Sequence, residues 1–405
     1  MKRTYLLFLF SYLSLNLFCQ THWTKYPDNP VMLPGQAGEW DEGFVGPETM
    51  VYLDNTYHMW YTGGTMLENT QIGYATSTDG INWTKNQNNP VLTVGPEGAW
   101  DDGYILGCEV LFMDSIFHMW YTGHTRPNHN ANYSIGHATS VDGINWEKDS
   151  NNPVFTWGKS DEWDMLWVVL GSLIHDGKIF HLFYIAGDAY TIEHMGHATS
   201  PDGIDWTRDP QNPVMSVTDD WEDAKVLAAS AMYDGSTFHL WYLGGESYYS
   251  RMGYATSEDG SSWSKYNNNP VVREGSQGEW DEVAVLHCTV MDSAGVKYKM
   301  WYGGTDATGI GSIGYAESMR GTQVEDHAIQ GIYIYPNPTN SFLTIETGYP
   351  NTSHIEITSL NGQLILNKEM NGTTDQIDLS SFQKGVYFIT IRSKDFVTTR
   401  KVIKL

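Results

Sequence analysis

The sequence predicts an all-β protein: a five-bladed β-propeller closed by its own N-terminal strand, followed by a small C-terminal β-sandwich. Three observations carry this. The box "ATSTDGINW", ending at Trp83, returns at Trp146, Trp206 and Trp263. A second motif, "YHMWYTG" at 57–63, has four further versions: "FHMWYTG" (117–123), "FHLFYIA" (180–186), "FHLWYLG" (238–244) and "YKMWYGG" (298–304). After Arg320 the repeats stop and the composition changes.

The chain opens with "MKRTYLLFLFSYLSLNLFCQ", two basic residues and a short apolar run broken at Cys19-Gln20, which reads as a signal peptide over 1–19. That run is too short for a lasting anchor, and no later stretch reads as a membrane span. Removing it leaves only Cys108 and Cys288, so the exported chain must fold on its core and not on a disulfide framework. A net charge of -25 disfavours nucleic acid and anionic membranes as partners. A soluble monomer is expected.

Residues 20–320 hold five repeats of four short apolar runs divided by Gly, Asp, Asn and Pro, the signature of antiparallel strands joined by turns. Four strands per repeat is a propeller blade. "HWTKYPDNPV" at 22–31 matches "NWTKNQNNPV" at 82–91, while the last repeat stops after "IGYAES", so the N-terminus is expected to supply the missing outer strand and remove a free sheet edge. Residues 321–331 read as a linker. From 332 to 405, "IYIYPNPTNSFLTIE" and "GVYFITIRSKDFVTTRKVIKL" alternate apolar and polar residues as a sandwich does.

Alternate connections of an up-and-down blade share a face. The Asp-Gly-Trp box therefore lies opposite the variable loops, and its uniformity marks it as a turn: Asp79 accepts backbone N–H groups, Gly80 takes positive φ, and Trp83 packs. It resembles the sialidase Asp-box, but with one residue fewer between Asp and Gly, so no function is carried over. The variable loops include "HTRPNHNANYS" (124–134) and "GDAYTIEH" (187–194). They nominate His124, Arg126, Asp188 and Tyr190 as binding residues, since binding groups gather on variable loops.

The repeats align on Trp40, Trp100, Trp163, Trp221 and Trp280. The next residue is acidic in all five: Asp41, Asp101, Asp164, Glu222 and Asp281, the pattern of a loop cap from which one or two members have scope for recruitment. Four places on stand Phe44, Tyr104, Trp167, Lys225 and Ala284, so three adjacent blades put an aromatic near the channel mouth, where a ring face can stack on a sugar. Eight places on stand Glu48, Cys108, Gly171, Ala229 and Cys288. Nine places on stand Thr49, Glu109, Ser172, Ser230 and Thr289. Glu48 and Glu109 thus break the pattern in neighbouring inner strands, where an ionised carboxylate must be paired, hydrated or functional. His287, seven places after its Trp, is a further candidate for the same cavity.

"GPETMVYLDNTYHMWYTGG", "IGYATSTDGINW" and "NPVL" resemble the arabinanase, levansucrase and invertase superfamily of glycoside hydrolases, with families 43, 32, 117 and 130, over residues 22–318. Gly46-Pro47-Glu48 is similar to the Ala-Pro-acid element of family 43, and Cys108-Glu109-Val110 falls in the blade where that family keeps its general acid. The resemblance implies a secreted glycoside hydrolase of a plant or algal saccharide, working with an acid and a base or nucleophile at the channel mouth. It places the base in the preceding blade, whose inner strand "VAVLHCTVM" holds no acid. The catalytic candidates are therefore Glu48 and Glu109, with Asp281 or Asp41 as substitute base if the entering loop folds inward. Phe44, Tyr104, Trp167 and His287 are substrate-binding candidates. No cofactor or metal-ligand pattern is expected, although a channel-bound calcium ion or water fits such a fold. The missing third acid keeps a lectin-like binding propeller as the alternative, ahead of a phosphorylase, since exported proteins meet little controlled phosphate. The tail resembles the sorting domain of type IX secretion, implying passage through the periplasm to the surface or medium.

Overall fold

A computed structural model describes residues 21–319 except 66–68, 126–132, 188–191, 247–248 and 294–296, and residues 332–404 except 336–338, 340, 348–352, 360–362, 371 and 394–396. The expected signal peptide and linker lie outside the described residues, as do Arg126, Asp188 and Tyr190. Two compact bodies are present, one of Gln20–Arg320 and one holding Gly321–Leu405.

The first body is five four-stranded antiparallel units. Unit one runs Phe44–Leu53, Thr56–Gly64, Thr70–Ser77 and Thr84–Lys85. Unit two is Tyr104–Met113, Ile116–His124, Tyr133–Ser140 and Glu147–Lys148. Unit three is Val168–His175, Phe180–Ala186, His194–Ser200 and Thr207–Arg208. Unit four is Val226–Tyr233, Phe238–Gly245, Ser250–Ser257 and Ser264–Lys265. Unit five has Ala284–Ser293, Lys297–Thr305 and Gly311–Met319, and its fourth strand is Thr24–Lys25 from the N-terminus. Thr24 stands opposite Glu317 and Lys25 opposite Ala316. The first strand of each unit contacts the first strand of the next, and the fifth contacts the first. These inner strands therefore form a ring.

Local chemistry explains the repeats. The tight turns after the inner strands of units one and two put both central residues at positive φ, Asp54 and Asn55 (49° and 60°), Asp114 and Ser115 (50° and 65°), which matches the twist of a two-residue hairpin. In the box, Asp79 Oδ1 accepts the N–H groups of Ile81 and Asn82 at 2.8 Å, and Gly80 takes a φ of 81°. The box also joins units. The buried Trp60, Trp120 and Trp301 donate their indole N–H to the carbonyls of Gly143, Gly203 and Gly80 in the following unit, at 2.7–2.9 Å. Trp301 to Gly80 spans the closure between units five and one.

In the second body, a three-stranded sheet (Ile332–Tyr335, Phe342–Thr347, Thr374–Asp378) and a four-stranded sheet (Leu364–Met370, Ser353–Ser359, Gly385–Arg392, Val397–Lys404) share one apolar cluster that includes Leu343, Ile345, Ile355, Ile357, Ile389 and Ile391. No described helix is long and apolar enough to cross a membrane.

Candidate active site

Every inner strand carries a β-bulge, and the bulges build the site. In unit one Pro47 pairs with Tyr61 and Thr49 with Trp60, leaving Glu48 unpaired. The unpaired residue is Gly171 in unit three and Ala229 in unit four, but in unit two it is Gly107, and in unit five Leu286 and His287 are both extruded. A bulge re-aims a side chain that a regular strand would point elsewhere. This corrects the alignment by residue count: the structural counterparts of Glu48 are Gly107 and the Leu286-His287 pair, while Cys108 and Cys288 remain in register opposite Tyr121 and Tyr302. Both cysteines are buried free thiols.

His287 reaches from unit five to two other units. Its Nδ1 lies 3.1 Å from the carbonyl oxygen of Pro47 and 3.5 Å from Glu48 Oε2, and its Nε2 lies 3.3 Å from the carbonyl oxygen of Gly171. Carbonyl and carboxylate oxygens only accept, so a ring donating from both nitrogens is the form that suits this cage. Glu48 is buried and also bonded to the Thr62 hydroxyl and the Cys108 N–H. Burial raises its pKa, and His287 and the two hydrogen bonds oppose the rise.

Glu109 holds its oxygens between units one and three. The Thr49 hydroxyl donates to Oε1 at 2.7 Å, the Ser172 hydroxyl approaches Oε2 at 3.4 Å, and the Leu173 N–H bonds it as well. Burial nevertheless pushes Glu109 up to about 7, the hydrogen bonds and His287 opposing. The register confirms its equivalence to the hydroxyl residues, since Thr49, Glu109, Ser172, Ser230 and Thr289 pair with Trp60, Trp120, Phe183, Trp241 and Trp301. Three of those hydroxyls accept an N–H from the following unit: Thr49 from Val110, Ser172 from Ala231, Ser230 from Val290. Glu109 accepts Leu173 N–H in the same way, so it also ties two units together.

The mouth residues divide. Tyr104 and His124 stack at 4.4 Å, and Tyr133 extends the group through its hydroxyl contact with Tyr104. Burial lowers the pKa of His124. Phe44 is half-buried above Gly311. Trp167, in contrast, is only 6% exposed, so its ring faces are covered in this conformation and the expectation that it stacks on a sugar is not met.

Asp41 and Asp281 do not join Glu48 and Glu109. Asp41 Oδ2 takes Lys85 Nζ at 2.7 Å and the Tyr61 hydroxyl at 3.1 Å, and Asn89 bonds that hydroxyl in turn at 3.0 Å. Asp281 takes Lys25 at 2.7 Å and Tyr302 at 3.1 Å. Asp101 with Lys148 and Tyr121, Asp164 with Arg208 and Tyr184, and Glu222 with Lys265 and Tyr242 repeat the arrangement. A carboxylate already engaged by a cation and a phenol, alike in all five units, is architectural. The substitute-base role for Asp41 and Asp281 is withdrawn on this ground. Sequence signals for the cluster existed, the Lys or Arg after each box Trp and the Asn of each "NPV", but nothing linear joined them.

No group of three or more His, Cys, Asp or Glu suited to a metal ion is found among the described residues. The site therefore offers two carboxylates from neighbouring units, both raised by burial, one of them to about 7, and a histidine that opposes the rise on each. A carboxyl raised toward neutrality beside a second carboxylate is suited to acid–base work.

A ring of antiparallel units with carboxylates on its inner strands defines the class: the propeller glycoside hydrolase superfamily. The model of the glycosyl hydrolases family 32 N-terminal domain matches residues 44–164 and 171–284, more than half of the chain, and the chain belongs to that family. The secretion system C-terminal sorting domain matches residues 333–405 and marks the protein for export by type IX secretion to the cell surface or medium. An uncharacterised protein of Mycobacterium tuberculosis is 27% identical over 236 residues, covering 55% of this chain and 75% of its own. A 1,2-β-oligomannan phosphorylase of Thermoanaerobacter is 28% identical over 134 residues, covering 31% and 43%. Among solved structures, one from the family 130 mannoside phosphorylases, described as containing hydrolases of β-1,2 mannosidic linkages in Candida mannan, has a TM-score of 0.58 at 19% identity and covers 73% of this chain and 93% of its own. A thermostable family-43 glycoside hydrolase has a TM-score of 0.54 at 16% identity, covering 70% and 95%. The structural likenesses show the fold.

Proposed function

We propose that the chain is a secreted glycoside hydrolase that cleaves a plant or algal oligo- or polysaccharide at the mouth of a five-bladed propeller, and that the tail is a sorting sandwich. Glu109 acts as general acid, donating its proton to the leaving glycosidic oxygen. Glu48 is the partner carboxylate that activates water or attacks the anomeric carbon, its negative charge favoured by His287. The observation that carries this reading is the convergence of Glu48, Glu109 and His287 from three units on the inner ring. Hydrolysis is preferred to phosphorolysis because an exported protein meets little controlled phosphate, and Glu48 and Glu109 offer an acid and a base in one site for water as co-substrate.

One observation favours a second reading. Glu109 bonds its neighbours where other units use a plain hydroxyl, so a non-catalytic carbohydrate-binding propeller would retain it as a tie between units. The recombinant protein, screened against plant and algal glycans with and without inorganic phosphate, separates these outcomes. Reducing-end release abolished in Glu109→Gln supports the hydrolase. Release that requires phosphate makes it a phosphorylase, and binding without release of any product makes it a lectin.

A further inference from the structure

The head of the fourth inner strand differs from its counterparts in charge. Phe44, Tyr104, Trp167, Lys225 and Ala284 occupy one position around the mouth, and backbone bridges support the equivalence. Phe44 bridges in parallel to Gly311, and Lys225 in parallel to Glu193, each at the start of the third strand of the preceding unit. An aromatic at this position is exchanged, in unit four, for an ammonium.

That ammonium is unusual in what surrounds it. Lys225 is only 8% exposed. Among the described residues no acceptor forms a hydrogen bond or ion pair with it. Glu193 acts on it electrostatically across the bridge without closing an ion pair, and burial lowers the pKa of Lys225 and raises that of Glu193. Two other enclosed cations of the ring body contrast with it. Lys265 reaches Glu222 at 2.6 Å, and the equally buried Lys299 donates to the Tyr57 hydroxyl at 2.6 Å. An ammonium stripped of most of its water and given no acceptor among the described residues is unfavourable until an anion arrives.

We infer that Lys225 receives an anionic substituent, the carboxylate of a uronic acid or a sulfate ester, of the saccharide bound at the mouth. The inference rests on the carbohydrate reading of the same mouth and specifies its substrate class. Aromatic residues such as Phe44 and Tyr104 suit the C–H face of a sugar ring, and a compact ammonium suits a compact anion on a neighbouring ring. The net charge of -25 opposes long-range attraction of a polyanion, so the preference must come from this local contact and survive at about 0.15 M salt, where long-range terms are screened.

Binding of the full chain is measured by calorimetry with three probes of equal length: oligogalacturonides, sulfated galactan oligosaccharides and neutral galactan oligosaccharides. One charged class is expected to bind at least tenfold more tightly than the neutral one, which of the two identifying the anion. Lys225→Met is expected to erase that preference while leaving neutral binding unchanged, and Lys225→Arg to retain it, with near-ultraviolet circular dichroism verifying that both variants fold. Equal affinity for charged and neutral probes, or a preference that survives in Lys225→Met, overturns the inference alone and leaves the carbohydrate reading intact. No binding of any saccharide by the wild-type chain overturns both.

Discussion

His287 Nδ1 stands 3.5 Å from Glu48 Oε2, although the two residues come from opposite ends of the repeat array and meet only because the fifth unit closes against the first. Burial raises the pKa of both carboxylates, Glu109 to about 7; on Glu48 the largest opposing cause is His287, whereas on Glu109 it is the Thr49 hydroxyl. Replacing His287 by Asn removes the counter-charge and is expected to lower kcat/KM by about a hundredfold, at the lower end of a general acid–base contribution. The acidic limb of the pH–rate profile should move upward as Glu48 becomes harder to ionise. An unchanged acidic limb would dissociate His287 from Glu48 in catalysis.

Glu109 must be protonated to act as the acid, so activity should fall as pH rises through about 7. Stability follows the same group. A carboxyl whose folded pKa exceeds its unfolded value binds its proton more tightly when folded, so its effect on stability becomes increasingly unfavourable as pH rises from about 4.5 to about 7. Glu109→Gln, a neutral isostere, is expected to abolish cleavage yet raise unfolding stability at pH 8 by about 1–3 kcal/mol, with little change at pH 4. Urea titrations at the two pH values read this directly.

The Asp–Lys–Tyr cluster makes the opposite separation. Lys85→Met leaves the buried Asp41 without its cation and is expected to cost about 3 kcal/mol. Cleavage per folded molecule at low temperature should remain within about twofold, because the cluster does not touch Glu48 or Glu109. Asp281→Asn should behave alike. A large fall in kcat for Asp281→Asn without loss of stability would restore its candidacy as the base.

Between units three and four, His181 Nδ1 meets His197 Nε2 at 3.0 Å, with Asp209 on the far side of His197 at 3.0 Å and Asp176 3.4 Å from His181. Burial lowers both histidine pKa values, and the carboxylates only partly offset it. Groups depressed in this way contribute stability above their unfolded pKa, about 6.5, and lose it as pH falls through the folded values. Units one and four place Tyr74 and Tyr254 where unit three has His197, each in hydrogen-bond contact with the histidine of strand two. His197→Tyr should therefore flatten the decline in urea midpoint between pH 7 and pH 5. A decline as steep as in the wild type would mean that this pair does not govern acid sensitivity.

Much of this architecture was legible in the repeats, because they act as an internal alignment. The four-strand pattern, the turn role of the box, the N-terminal contribution to unit five and the departures at Glu48 and Glu109 all follow from comparing copies. What residue counting hid is the shift of the bulge. One position more or less in an inner strand decides whether a side chain is extruded or kept in register, so residue counting aligns Cys108 with Glu48, whereas the bulges make Gly107 and the Leu286-His287 pair its counterparts. The covered ring of Trp167 escaped notice for a related reason, since burial depends on neighbours from an adjacent unit. The five ion-paired acids were visible as invariant residues, but their partners lie more than forty positions away along the chain.

The pairing of Thr24 and Lys25 with Ala316 and Glu317 has a temporal consequence. The first strand of the ring body is synthesised well before its partner, and until Glu317 follows it the fifth unit lacks its outer strand. Completion of the ring therefore waits for the whole repeat array to be synthesised, and the earliest part of the array serves as the latch that shuts it.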